Sequence, residues 1–368
     1  MSVAETNGTV IVNTHLATRN ENAIKCYIKG FMISGGRSYK TKEHVMKNTS
    51  ILFTLTLIFL TASKALTQDA RYTQWENMPV YLNPALTGNF DGMLRLRAQH
   101  RNQWRSILKD NSYKTNAVSA EYKFANASTR KINVGAFYIK DKAGSLDFRT
   151  GSINLATSVV QNLGNPDEAH HSIALGFNVG WASSKIDFEN AQWPGPPPTD
   201  INEDTSYPDV SAGLLWQYKS NAHFSFQLGS ALHHLNSPNV SFSDTSVYRL
   251  NHRFNLHGNI EIPLVRSFSM VPSFLFSSQG PSEQLTFGFN NRWYPTSSSP
   301  DFVQLGIFAR SSKNYNGSEI NTYVLSATVE ISSILLGFSF DRFEKIESNA
   351  YEFSVGYVFG RHDNNVEQ

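Results

Sequence analysis

The sequence predicts an all-β protein: a transmembrane outer-membrane antiparallel β-barrel of about fourteen strands with both termini periplasmic. Three observations lead there. Charged residues make up 17% of the 368-residue chain and aromatics 12%, with 25 Phe, yet mean hydropathy is only −0.33. A helical membrane protein would be far more apolar, and an ordinary soluble domain is about a quarter charged. From about residue 91 to residue 360, short segments of alternating apolar and polar residues are separated by Gly, Pro, Asn, Ser and Asp clusters. An export-like segment precedes them.

That segment begins at Met46-Lys47-Asn48, continues through an apolar run from Ile51 to Leu60, and ends in Thr61-Ala62-Ser63-Lys64-Ala65-Leu66-Thr67. A charged front, a short apolar stretch and small residues are the parts of a cleaved signal peptide, here residues 46–67, with cleavage after Ala65 or Thr67. The apolar run is too short to cross a bilayer as a helix. Residues 1–45 are polar and without period, and read either as a gene-model extension or as a disordered leader. The expected organisation is then an N-terminal segment at 68–90 on the periplasmic side, a barrel at 91–360 and a tail at 361–368.

The alternation is clean in Ile173-Leu175-Phe177-Val179-Trp181, Phe254-Leu256-Gly258-Ile260-Ile262, Leu285-Phe287-Phe289 and Tyr323-Leu325-Ala327-Val329. Period two sends one set of side chains to each face of a sheet. A soluble sandwich would bury the apolar face; a barrel in a membrane would turn it to lipid and line the lumen with the polar one. Strand length, the absence of a domain-like break, and aromatics near strand ends (Trp104, Trp181, Trp216, Trp293, Tyr294) favour the barrel. Strands are expected to start near residues 92, 113, 131, 147, 171, 207, 222, 248, 266, 284, 302, 318, 334 and 349. With the first strand running outward, the long connections at 188–207 and 236–247 fall outside and the short ones near 219–221 and 264–266 fall inside. The last strand alternates Tyr351, Phe353, Val355, Tyr357 and Phe359 with Glu352, Ser354, Gly356 and Val358. It fits the C-terminal signal read by barrel-assembly machinery.

Charge and chemistry narrow the function. The formal net charge of +2 does not suit nucleic acid as the main partner. The one cysteine, Cys26, lies upstream of the signal-like segment, so the exported chain has no disulfide framework. Among the eleven histidines, His170-His171, His233-His234, His252 and His257 show no metal-ligand spacing. Adjacent strand residues point to opposite faces, so neither strand-borne His pair would chelate one ion. No Gly-x-Ser-x-Gly, P-loop or dinucleotide fingerprint is present. Glu203-Asp204 and Glu344/Glu347 read as loop carboxylates rather than a catalytic dyad. The expectation is a non-enzymatic protein with no cofactor and no metal.

Two motifs remain. Tyr81-Leu82-Asn83-Pro84-Ala85-Leu86-Thr87-Gly88 is a turn-rich segment ahead of the first strand, and Arg101-Asn102-Gln103-Trp104 lies near that strand's far end. Together with Gln68-Asp69, Tyr72 to Gln74, Leu336-Gly337-Phe338-Ser339-Phe340-Asp341 and the closing strand, they resemble the PorP/SprF family of type IX secretion and gliding-motility proteins, over about residues 68–360. The resemblance implies an outer-membrane barrel that assists secretion or surface attachment of a large partner, a secreted cell-surface adhesin or other type IX machinery, with outer-membrane lipid around it. Tyr81, Asn83, Pro84, Gly88, Arg101, Asn102, Gln103 and Trp104 are then either docking or fold-keeping residues. Asn83-Pro84 and Gly88 are expected to fold the segment against the inner mouth or into the lumen, and Arg101 and Trp104 to be girdle and rim residues. Trp193, Pro194, Pro196, Pro197 and Pro198 form a candidate extracellular partner loop. A passive outer-membrane porin is the alternative function, and a membrane-embedded lipase a third.

Overall fold

A computed structural model of the chain describes residues 4–6, 9–11, 69–127, 129–144, 148–164, 170–187, 201–220, 224–295, 301–313 and 317–361. The chain divides into two units, Met1–Ala65 and Leu66–Gln368. In the first, the described residues form one antiparallel pair, Ala4–Thr6 with Thr9–Ile11. The expected signal peptide lies outside the described residues.

The second unit is a closed barrel of fourteen antiparallel strands. They are β1 (Leu94–Gln103), β2 (Tyr113–Asn126), β3 (Arg130–Ala143), β4 (Phe148–Leu163), β5 (His170–Lys185), β6 (Asp204–Lys219) and β7 (Ser225–His233). Then follow β8 (Arg253–Val265), β9 (Phe268–Gln279), β10 (Ser282–Trp293), β11 (Phe302–Lys313), β12 (Glu319–Ile331), β13 (Ile334–Phe343) and β14 (Asn349–Phe359). Each pairs with its neighbour in sequence, and β14 closes on β1 with Ala350 opposite Gln103 and Phe359 opposite Leu94. Closure leaves no strand edge unpaired. The expected strands and their number are observed. The chief shifts are β8, which starts at Arg253, and β6, which takes in Asp204 to Tyr207 from the anticipated 188–207 loop.

The side-chain distribution is inverted relative to a soluble protein. Leu155 is 68% exposed and Phe177 56%, whereas Glu352, Asp341 and Asn83 are fully buried. The outer band is apolar, as lipid contact requires, and the inner face is polar. In β14, Tyr351, Phe353, Val355, Tyr357 and Phe359 all face outward, and Ala350, Glu352, Ser354 and Val358 face inward. Because the strand number is even, β1 begins and β14 ends at one end of the barrel, here called the near end; the other is the far end.

Candidate functional site

The lumen is filled by the chain's own N-terminal segment, residues 69–93. Its secondary structure is minimal: 3-10 turns at Trp75–Asn77 and Pro84–Leu86, with a one-turn helix, α1 (Pro79–Leu82), between them. Proline at the first helical position fits α1, since its missing N–H would have no helical acceptor. Pro84 forces the preceding residue out of the helical region, and Asn83 accordingly sits at φ −158° and ψ 119°. That turns the chain and frees the Asn83 side chain to cap the next turn, its Oδ1 accepting from Ala85 N at 2.9 Å.

The segment is anchored at four places. At its start, the Asp69 carboxylate meets His234 Nε2 at 2.8 Å and Arg253 Nη1 at 2.9 Å, while Asp69 N donates to Gln279 Oε1 at 3.1 Å. Arg253 opens β8, Gln279 ends β9 and His234 follows β7, so residue 69 lies toward the far end. Burial works against the Asp69 charge. The neighbouring His234 and Arg253 charges outweigh it and hold this carboxyl well below the usual range. Burial likewise opposes the His234 charge, but Asp69 on one side and Asp209 on the other raise it to about 9.

The second anchor is a buried ionic cluster. Glu352 accepts the backbone N–H groups of Thr73 (2.8 Å) and Gln74 (2.7 Å), together with Gln99 Nε2. Asp341 accepts the Thr73 hydroxyl, at 2.8–2.9 Å from its two oxygens. Arg101 bridges both carboxylates, at 3.0 Å from Glu352 and 2.8 Å from Asp341, and also donates to Thr73 Oγ1. Arg310 adds a second guanidinium at 3.1 Å from Asp341. Two cations thus offset two anions in a buried site, which is how buried charges are tolerated.

Directly after the second anchor Trp75 packs edge-on to Phe308, 5.2 Å between ring centres, with Leu275 and Val324 beside it. Glu76 is half-buried, 3.4 Å from Ser273 Oγ and 3.5 Å from Asn290 Nδ2, and burial raises its carboxyl. A cavity of about 160 Å³ remains here, lined among others by Glu76, Arg97, Arg292 and Glu330.

The third anchor is Asn83. Its Nδ2 faces the carbonyls of Leu214 and Ser230 at 3.1 and 3.2 Å and His257 Nε2 at 3.1 Å. Next to it the Leu82 carbonyl accepts from Asn255 Nδ2 at 2.9 Å and lies 3.3 Å from His233 Nε2. The wall accommodates this approach because glycine stands there: a Cβ at Gly213 would lie 1.9 Å from Asn83 Oδ1, and one at Gly176 would lie 2.1 Å from Ala85 N.

The fourth anchor is near the near end. Gly88 N donates to Glu121 Oε2 at 2.9 Å, and Glu121 is held by Arg95 at 2.7 Å. The Thr87 carbonyl accepts from Ser158 at 2.7 Å. Gly88 has φ +73°, a left-handed conformation that glycine adopts without strain. The segment thus crosses the lumen from the far half to the near end, then enters β1.

These placements correct several expectations. Of the two placements expected for residues 68–90, against the inner mouth or in the lumen, the described part of the segment takes the second and is held along its length by inward polar residues. Arg101 is not a girdle or rim residue: odd-numbered β1 positions face inward, and Arg101 is 4% exposed in the ionic cluster. Gln103 follows it inward, accepting from Arg101 at 3.4 Å, and Asn102 lies on the other face of the strand. Trp104 stands at the far-end turn with φ 64°, against the rings of Tyr113 and Phe343. Tyr81 stacks under Arg253, 4.5 Å from guanidinium to ring centre, and donates to the Ala70 carbonyl at 2.6 Å. His233 and His234 are both buried on the lumen side, because β7 ends at His233 and His234 turns out of the strand at φ 60°. His170 and His171 open β5. Trp193, Pro194, Pro196, Pro197 and Pro198 lie outside the described residues. Among the described residues, no group of three His, Cys, Asp or Glu is placed to hold a metal ion.

The sequence reading missed Asp69, Thr73, Glu121, Arg310, Asp341 and Glu352 as working residues. A signal was available: Glu352 sits between Tyr351 and Phe353, and Asp341 follows Phe340. A carboxylate at an inward position of a largely apolar strand calls for a buried cationic partner.

Comparisons with known proteins give the architecture a family. No curated protein matches the chain in sequence. Among solved structures, the chain resembles a TodX monoaromatic hydrocarbon channel variant, at 10% identity, TM-score 0.49, covering 78% of this chain and 94% of that one. It also resembles the toluene transporter TbuX of Ralstonia pickettii at 9% identity, TM-score 0.49, with the same coverages. The outer-membrane protein Omp33 of Acinetobacter baumannii follows at 9% identity and TM-score 0.38, covering 73% of this chain and 99% of that one. The sequence pattern of the type IX secretion system membrane proteins PorP/SprF matches residues 65–357, which takes in the lumen segment and nearly the whole barrel. The chain belongs to the PorP/SprF family of type IX secretion system membrane proteins.

Proposed function

We propose that this outer-membrane barrel works closed, as a docking platform of the type IX apparatus that helps deliver a large secreted partner to the cell surface or hold it there. The observation that carries the proposal is the occupied lumen: a segment of the same chain, pinned by a buried four-charge cluster, stands where a porin would need open water. In this reading the near end faces the periplasm, the far end faces outward, and the chain arrives through a cleaved signal peptide at 46–67. The motif from Tyr81 to Gly88 keeps the plug seated, since its polar groups are engaged with the wall. Docking then falls to the rims: the near-end turns for other type IX components, and the far-end loops, including Trp193 and Pro194 to Pro198, for a secreted adhesin. The role is one of binding, without a catalytic step. A strain lacking the protein should stop delivering its type IX cargo to the surface while small-solute uptake stays at the wild-type rate. Normal cargo delivery with reduced solute uptake would overturn the proposal in favour of a porin.

A further inference from the structure

Two opposite charges border the cavity beside the plug without closing on one another. Glu76 belongs to the plug's first turn, and Arg97 stands on β1. Both line the same space, and the Arg97 charge is near enough to act on the Glu76 carboxyl. Among the described residues, neither makes an ion pair. Opposite charges inside a protein normally meet, because their attraction grows as water is removed.

The plug holds these two apart. Arg97 Nη1 donates to the Glu76 carbonyl at 3.2 Å and to Asn77 Oδ1 at 3.0 Å. Its Nε and Nη2 have no partner among the described residues. The Glu76 carboxylate stands between Ser273 and Asn290 at 3.4 and 3.5 Å, too far for strong hydrogen bonds.

A third group points to an occupant. Asn290 on β10 is 2% exposed, and its Oδ1 has no hydrogen-bond partner among the described residues. An amide oxygen so deeply buried ordinarily has one. The wall makes room for it, since a Cβ at Gly306 on β11 would stand 2.2 Å from that oxygen. All three groups lie on the plug or within the spans of β1 and β10. The space they border measures about 160 Å³, roughly ten times what one water molecule needs. Phe308, Val324 and Leu335 give it an apolar wall.

We propose that this cavity binds a small free α-amino acid as its zwitterion. The ligand carboxylate lies on the free edge of the Arg97 guanidinium, whose planar fork matches two carboxylate oxygens. The ligand ammonium donates to the Glu76 carboxylate and to Asn290 Oδ1. The ligand side chain rests against Phe308, Val324 and Leu335. A zwitterion brings each protein charge its opposite and adds no net charge to the lumen. A lone anion or a lone cation would serve one of the two charges and oppose the other.

The test is titration calorimetry on the folded full chain in detergent, where both ends of the barrel are open to solute. The probes are L-alanine, N-acetyl-L-alanine and L-alaninamide; each blocked probe lacks one charge. Wild type should bind L-alanine about tenfold or more tightly than either blocked probe, the effect of losing one charge-assisted contact. Arg97→Gln and Glu76→Gln should each lose about tenfold or more in affinity for L-alanine by the same loss. Lys313→Gln, at the far end of β11, should bind as wild type, and so should a variant ending at Arg361. Folding of each is verified by heat-modifiable gel mobility. Absence of saturable L-alanine binding by wild type would mean that water alone fills the cavity and would overturn the proposal. Equal affinity for a blocked probe, or undiminished binding by either glutamine variant, would overturn it as well. Binding seen only after truncation at Arg361 would make residues 362–368 the occupant, and would also overturn it.

Discussion

Arg101 shows how one side chain ties lumen to wall. It reaches Glu352 on β14, Asp341 on β13 and Thr73 in the plug, so it joins three chain segments far apart in sequence. Arg101→Met keeps the volume and removes the charge, leaving Glu352 with neutral donors only. The folded barrel should lose about 3–5 kcal/mol, the usual cost of stranding a buried partner, seen as a lower denaturant midpoint. An unchanged midpoint would mean the cluster contributes nothing to stability. Gly88 tests the plug at a different point. A Cβ there would lie 2.3 Å from Asn133 Cγ and would impose a left-handed conformation on an L-residue. Gly88→Ala should destabilise by about 1–3 kcal/mol. Adding Asn133→Ala should recover only part of that, because it relieves the clash and not the backbone.

At the scale of elements, the plug's first residues depend on ionisation. Two groups outside the strands govern them. Asp69 has its carboxyl depressed, so its contribution is present above the ordinary aspartate range and is lost as pH falls through the depressed value. His234 is raised from 6.5 to about 9, so its contribution is complete below about 6.5 and disappears as pH rises through 9. Arg253, Asp209 and His233 face the same pair and complete the local charge set. A spin label at Ala70 should be immobile at pH 7 and gain mobility between pH 8 and 10 (about the raised value), while a label at Gly88's neighbour Asn89 should not. Equal mobility of the Ala70 label across that range would remove His234 from the anchor.

The same scale shows what the residues declare in advance. Strand number and most start positions were legible because a period of two survives in most strands whatever fills the barrel. The plug was legible only as a turn. Asn83-Pro84 fixes the local bend, but the carbonyls of Leu214 and Ser230 that receive the Asn83 side chain are 131 and 147 residues away, and backbone carbonyls leave no mark in a sequence. Arg101 was misplaced for a related reason. Its strand position gave the correct height, but the inward parity of β1 becomes visible only when Glu352 and Asp341 are recognised as its partners.

For the whole molecule, the outer face is built for lipid, the inner face for its own N-terminal segment, and the family for type IX secretion. In the proposed function the plug is a resident part of the folded barrel and closes it to ions. The most direct test is conductance in planar bilayers, comparing wild type with a variant lacking residues 69–90 that still folds by heat-modifiable mobility. Wild type should be insulating, and the deletion variant should show stepwise open-channel currents. A wild type that conducts as well as the deletion variant would contradict the proposed function.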